Sequence, residues 1–173
     1  MTAYELSQIR EMTANDMPQV LSLWHELIEH HKPINHSLYQ VTTSADMTYE
    51  RWLTRRLKED GAKVWLAVHD EQIVGYVLIM MGFRSPVYEI NNVGMICDLS
   101  VTQRVRRMGV ATSLVSHAVL ALLNQGIKTV QVNYDDGNQE ATAFWTKMGF
   151  APRLIEAYRH LQASDMVTPE PKI

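Results

Sequence analysis

The spacing of apolar positions divides the chain into elements. Val20, Leu23, Trp24, Leu27 and Ile28 recur three and four apart, which predicts a helix with one buried stripe. Asn15 or Asp16 stands where its N-terminal cap belongs, and Pro33 ends it. Trp52, Leu53 and Leu57 predict a second helix over 48–59, with Gly61 as its C-terminal cap. The pattern then shifts to strands. Residues 63–69 and 73–83 are dense in Val, Ile, Leu and aromatics, and the polar DEQ between them predicts a hairpin. A short strand over 4–12 and a long one over 89–101 complete the first half. Beyond them come a helix over 108–124 ended by Gly126, a strand over 129–132, a helix over 138–148 ended by Gly149, and a closing strand over 154–161. The expected architecture is α/β with a mixed sheet: two early helices, antiparallel hairpin strands, then strand, helix, strand, helix, strand.

Length and charge narrow this picture. A chain of 173 residues, 46% hydrophobic and 20% charged, can bury one substantial core. One domain over residues 1–161 is expected, with 162–173 as a frayed tail. A net charge of −3 supplies no global field for nucleic acid or an anionic membrane, so neither is an expected partner. Cys97 is the only cysteine, which excludes an intramolecular disulfide and suits a reducing, cytoplasmic setting. The segment MTAYELSQIR does not pair a basic stretch with an apolar one, and no run of about 18 apolar residues is present. Neither secretion nor membrane insertion is expected.

The stretch RRMGVATSL carries the first chemistry. It follows a strand and opens a helix, so the first backbone N–H groups of that helix lack intrahelical partners and are free to meet an anion. Gly109 removes the side chain that would block close approach, and Ala111 keeps the next exposed position small. Arg106 and Arg107 add positive charge at the positive end of the helix dipole. The same residues also fit a plain turn with two solvated arginines, and neither of the usual nucleotide loops, G-x-x-x-x-G-K-[ST] or G-x-G-x-x-G, occurs. Ala111, Leu114, Val115, Ala118 and Leu122 share the packing face of the helix, which leaves His117 on the solvent side.

A strand, an R-x-x-G-x-A turn at Arg106, Gly109 and Ala111, a long helix, a strand and a second helix ending in G-F form a series that resembles the GNAT superfamily of N-acetyltransferases. DLSVTQRVRRMGVATSLV and VQVNYDDGNQEATAFWTKMGF are similar to the corresponding segments of aminoglycoside 3-N-acetyltransferases. The resemblance implies a GNAT-like acyl-CoA N-acyltransferase fold using acetyl-CoA as cosubstrate. The pyrophosphate would lie on the backbone of Arg106, Arg107, Met108, Gly109, Val110 and Ala111, with Thr112 close by. Backbone groups of the Leu99, Ser100, Val101 run would bond the pantetheine arm, Leu99 and Val101 foremost, while Asn138 contacts the arm and Phe144 packs beside it.

One position departs from the family pattern. Many members place a tyrosine four residues before the glycine of G-F to protonate the departing thiolate, and this chain has Trp145 there. Indole N–H donates hydrogen bonds but cannot deliver a proton at useful pH. Tyr134 or a water is the substitute candidate, with core packing as the other reading of Tyr134. A thiol of pKa about 8.5 also leaves readily without help. For the base, Asp98 stands mid-strand, where an acidic residue needs a partner or a purpose; it is either a general base or an acceptor of hydrogen bonds from a nearby loop. Cys97 reads as a core residue, consistent with direct transfer.

The acceptor side would fall on residues 24–52, a polar wall with Glu26, Glu29, His30, His31, His36 and Asp46; HELIEHHKPINH does not have the geometry of a metal tract, and no metal is expected. Asp135 and Asp136 would draw a cation or simply shape a turn. The leading expectation is acetyl transfer to a primary amine of a small molecule. The alternatives are a protein or peptide amine as acceptor, or a non-catalytic acyl-CoA-binding module. A homodimer is a further possibility, through Met80, Met81 and Phe83 or through the closing strand.

Overall fold

The computed structural model describes residues 8–59 and 61–161. Five strands form one sheet in the order β1 (Gln8–Glu11), β2 (Ala62–His69), β3 (Gln72–Phe83), β4 (Asn92–Val101) and β5 (Val130–Val132). Neighbouring strands run antiparallel except β4 and β5, which are parallel. The β2–β3 hairpin turns on Asp70 and Glu71, both at positive φ (47° and 62°), the backbone that a two-residue loop requires between twisted strands.

The sheet is covered on both sides, which explains why β3 reads as one apolar run rather than an alternation. On one face lie α1 (Met17–His31) and α2 (Ala45–Lys58). Val20, Leu23, Trp24 and Leu53 pack there against Val64, Leu66, Tyr76 and Leu78. On the other face α3 (Val110–Asn124) and α4 (Gln139–Lys147) bring Leu114, Val115, Ala118, Leu122 and Trp145 onto Val74, Val77, Ile79 and Ile96. A fully buried leucine of this kind contributes about 1.5–3 kcal/mol of apolar burial, so the two faces together supply most of the driving force.

The element series matches the sequence expectation, with shifted ends and three corrections. Of the strand expected over 4–12, Gln8–Glu11 is strand and residues 4–7 lie outside the described residues. The second helix starts one turn earlier, at Ala45, and ends at Lys58. Gly61 does not cap it. It enters β2 at φ +106°, where an added Cβ would meet Met81 Cγ at 2.7 Å, and its carbonyl accepts from the Met81 N–H at 2.8 Å. Close strand approach, not helix termination, requires glycine there.

Asp16 precedes α1 but makes no capping bond to it. Its carboxylate instead takes two hydrogen bonds from Arg10, at 2.7 and 2.8 Å, and one from the Thr13 N–H at 2.7 Å, fixing β1 to the start of α1. The third correction is the closing strand over 154–161. That segment has no strand structure, and Leu154, Ile155 and Leu161 are exposed. An alternating apolar pattern makes a strand only when an edge pairs with it, and here none does. His117 also departs from its expected solvated place: it is half-buried, edge-on to Trp65 at 4.3 Å.

Candidate active site

The segment between β4 and α3 is a compact turn with two residues at positive φ. A single 3-10 turn (Gln103–Val105) leads to Arg107 at φ +63° and Gly109 at φ +90°, and α3 begins at Val110. A Cβ added at Gly109 would meet nothing within 4 Å, so that side of the turn opens to solvent. The Ser113 N–H closes the first helical turn onto the Gly109 carbonyl at 3.0 Å, which leaves the N–H groups of Val110, Ala111 and Thr112 without an intrahelical acceptor. The geometry fits a phosphate group.

The arginines serve this turn differently from the expectation. Arg106 gives its own N–H to the Gln103 carbonyl at 3.3 Å, so it drops out of the set of free donors. Its side chain turns back, Nε donating to the Val101 carbonyl at 3.0 Å and Nη1 lying 3.4 Å from His30 Nδ1. Burial, with the Arg106 charge beside it, holds His30 below its usual pKa. Arg106 thus braces the end of β4 against α1 and does not aim its charge at the turn. Arg107 is exposed and pairs with Glu140 at 3.0 Å, and Met108 is exposed as well. Backbone and dipole, more than side-chain charge, give this turn its capacity to meet an anion.

Beyond the turn, β4 and β5 part. They pair only from Gly94↔Val130 to Ile96↔Val132, whereas β4 continues to Val101. Among the described residues the edge of β4 over residues 97–101 therefore has no strand on its β5 side, and a cavity of about 210 Å³ lies in the fork between Met95, Ile96, Cys97, Gln131, Val132 and Asn133. Leu99 packs toward α3. Ser100 is buried and donates to the Leu23 carbonyl at 2.8 Å, which fastens α1 to β4; its side chain faces away from the fork's α3 side. Asn138 is buried and caps α4, its Oδ1 accepting from the Ala141 N–H at 2.9 Å. Phe144 is half-buried, 4.9 Å from Trp145, and Trp145 itself is in the core, flanked on the other side by Phe150 at 5.2 Å. Tyr134 is half-buried against the same core.

Asp98 sits elsewhere than simple alternation predicts. Leu78 pairs with Asp98 and Ile79 with Ile96, so Cys97 is an extra residue, a β-bulge. The bulge turns both Cys97 and Asp98 toward α1 and α2. There Asp98 Oδ2 accepts from Tyr49 Oη of α2 at 2.6 Å and from Tyr76 Oη of β3 at 3.2 Å, with the two hydroxyls 3.3 Å apart. Burial pushes the Asp98 carboxyl above its usual pKa, and both tyrosine hydrogen bonds oppose that rise. Tyr49 and Tyr76 are themselves held protonated by burial and by the carboxylate. Burial also raises the Cys97 thiol to about 11, which leaves it a poor nucleophile. The sequence reading missed Tyr49 and Tyr76. Its one signal was the need of a mid-strand aspartate for a partner, and that does not say which of seven tyrosines answers.

The α1–α2 connection is tied to the segment that follows β5. Asn35 Nδ2 donates to Asp135 Oδ2 at 2.9 Å, and Tyr39 lies 4.7 Å from the His31 ring. Asp135 also accepts from the Gly137 N–H at 2.9 Å, so it is a turn residue and a tether. Among the described residues no three His, Cys, Asp or Glu side chains converge as metal ligands.

Comparisons with known proteins bear on this arrangement. Residues 24–150 match the sequence profile of the acetyltransferase (GNAT) family. The chain belongs to the GNAT acetyltransferases. Over 96 residues it is 30% identical to the N-alpha-acetyltransferase MAK3 of Arabidopsis thaliana, an alignment covering 54% of this chain and 48% of that protein. The chain thus spans about half the length of that curated relative. Among solved structures, a tetramutant of the BH1408 protein from Bacillus halodurans superposes with a TM-score of 0.78 at 18% identity, covering 89% of this chain and 99% of the other. An aminoglycoside 6'-N-acetyltransferase from Acinetobacter haemolyticus gives 0.71 at 18% identity, covering 90% and 98%. These likenesses show the fold.

Within the GNAT frame, the R-x-x-G-x-A turn is the one opening α3, and the profile ends on the G-F pair, Gly149 and Phe150. No helix among the described residues is long and apolar enough to cross a membrane.

Proposed function

We propose that this GNAT chain, over residues 1–161, is an acetyl-CoA-dependent N-acetyltransferase that moves the acetyl group directly to a primary amine of a small molecule. The observation that carries the reading is the continuity of three features along β4: the bulged Asp98, the unpaired edge of residues 97–101 beside the fork, and the donor-rich turn at Gly109. A ligand with a pyrophosphate at one end and a thioester at the other fits that line. The N–H groups of Val110, Ala111 and Thr112 would receive the phosphates. The open backbone of Leu99 would bond the amide arm, and Asn138 and Phe144 would border it. The Val101 carbonyl already accepts from Arg106, which keeps the strand end in place.

In the transfer, the acceptor ammonium gives a proton to Asp98. Its nitrogen then attacks the acetyl carbonyl, a C–N bond forms, and the C–S bond breaks with its electron pair leaving on sulfur. The remaining ammonium proton passes to that thiolate, directly or through a water or Tyr134, so the buried Trp145 need not donate one. The small-molecule reading is supported by the Asn35–Asp135 tether, which holds the α1–α2 connection to the segment after β5 and would narrow an acceptor groove there. A peptide amine is the second reading, favoured by the partial likeness to MAK3. Half-buried Cys97 suits a reducing cytoplasm, and the exposed apolar residues Phe83, Leu154 and Ile155 suit a homodimer, which sedimentation velocity would detect.

The test is calorimetric titration of acetyl-CoA into the wild type and Gly109→Asp. Micromolar binding abolished by the substitution supports the reading; no binding by either overturns it. Thiol release with mixed amines then separates an enzyme from a binding module, and competition between small amines and short peptides separates the two acceptor classes.

A further inference from the structure

Asp98 meets charged or titratable groups from every element around it: Tyr49 from α2, Tyr76 from β3, His31 from α1, and Cys97 beside it on β4, with Arg56 of α2 near Cys97. Both hydrogen bonds on its carboxylate fall on Oδ2, and Oδ1 has no hydrogen-bond partner among the described residues. The shorter bond comes from Tyr49, whose ring is fixed independently: it stacks on Trp24 at 4.5 Å and 20° and lies 5.7 Å from Trp52. α2 therefore holds a ring-anchored O–H donor against a β4 carboxylate that faces it.

We propose that Tyr49 is a positioning residue for Asp98: its hydroxyl pins Oδ2, fixes the rotation of the carboxylate, and leaves Oδ1 as the oxygen that takes the proton of the acceptor amine. This rests on the reading of Asp98 as the base. Two donors on one oxygen divide the carboxylate's roles, since an anchored oxygen orients and a bare oxygen remains basic. Tyr49 stays protonated beside the carboxylate, so it orients Asp98 without accepting the proton itself. Because it stands on the helix that follows the α1–α2 connection, the same element that borders the acceptor also sets the base. Tyr76 is the weaker second donor, completely buried and locked in the sheet core.

The experiment is carbonyl-detected NMR titration of aspartate-labelled protein, with Asp98→Asn identifying the Asp98 carboxyl signal, run on the wild type, Tyr49→Phe and Tyr76→Phe. Phenylalanine keeps the stacking on Trp24, so folding is preserved. Removing a hydrogen bond from the ionised form raises the carboxyl pKa. The Asp98 midpoint is expected to move up by about one unit in Tyr49→Phe, a tenfold change in proton affinity, and by less in Tyr76→Phe. The acid limb of kcat/KM, followed by thiol release with the best amine from the mixed-amine screen, is expected to move by the same amount with the KM for acetyl-CoA unchanged. An unmoved Asp98 midpoint in Tyr49→Phe overturns the inference even where Asp98→Asn is inactive. Full turnover by Asp98→Asn instead overturns the reading of Asp98 as base, whatever the NMR shows.

Discussion

The two faces of the sheet assemble their chemistry in opposite ways. On the α3 face the open turn before α3 is built from neighbours in sequence: a strand end at Val101, a 3-10 turn, Gly109, and the first turn of α3. On the α1–α2 face the Asp98 cluster joins residues far apart, with Tyr49 and Tyr76 lying 49 and 22 positions away and the Ser100–Leu23 bond spanning 77. A local site tolerates distant repacking because its geometry is set by backbone dihedrals. A non-local site is only as well placed as the layer that carries it.

The sharpest way to break this comparison is to cross two substitutions. Asp98→Asn is expected to lower kcat/KM on the order of 10³-fold, within the usual range for loss of a general base, while leaving acetyl-CoA binding intact by calorimetry. Gly109→Asp is expected to do the reverse, removing binding. Equal loss of binding in both variants would mean that the faces are not separable.

Next in size is a pair of core truncations. Leu114→Ala and Leu53→Ala each empty a completely buried site, so each is expected to cost about 3 kcal/mol in urea unfolding. Only Leu53→Ala, beneath α2, is expected also to raise the Asp98 midpoint by loosening Tyr49.

Smaller still is the contrast between two aspartates on the α1–α2 face. The guanidinium of Arg10 holds Asp16 well below the usual carboxylate range, whereas burial holds Asp98 above it. A depressed folded-state pKa stabilises the fold above the unfolded value, near 3.9, and that stability is lost as pH falls through the folded value. Asp16→Asn is therefore expected to destabilise the protein by about 2 kcal/mol at pH 7, a gap that starts to narrow below about pH 4 and closes only once pH falls below the depressed folded value. Acid melts across pH 2–7 would check this.

The mildest expected effect concerns the tether. Asn35→Ala removes one hydrogen bond, worth about 1 kcal/mol, and is expected to raise the amine KM several-fold without altering acetyl-CoA affinity. Steady-state kinetics in each substrate would show it.

Legibility divides along the same line. The helices appeared as 3.6-residue stripes, the strands as dense apolar runs, and the turn at Gly109 as a small residue in a strand-to-helix junction, because each is a local signal. The strand expected over 154–161 failed because pairing depends on an available edge. Charge alone assigns Arg106 to the turn before α3. Its guanidinium instead found the Val101 carbonyl and the His30 ring, partners that only the docking of α1 supplies.

The sequence by itself determined the order of elements, the open turn at the start of α3 and the family to which the chain belongs, all properties of contiguous residues. Tertiary structure decided which face Asp98 serves. Regular alternation would set it on the α3 side with Ile96; the one-residue bulge at Cys97 turns it over to Tyr49 and Tyr76. A strand's side chains alternate with a period of two, so a single extra residue reverses the facing of every later position in that strand, and only the register against the neighbouring strand reveals it.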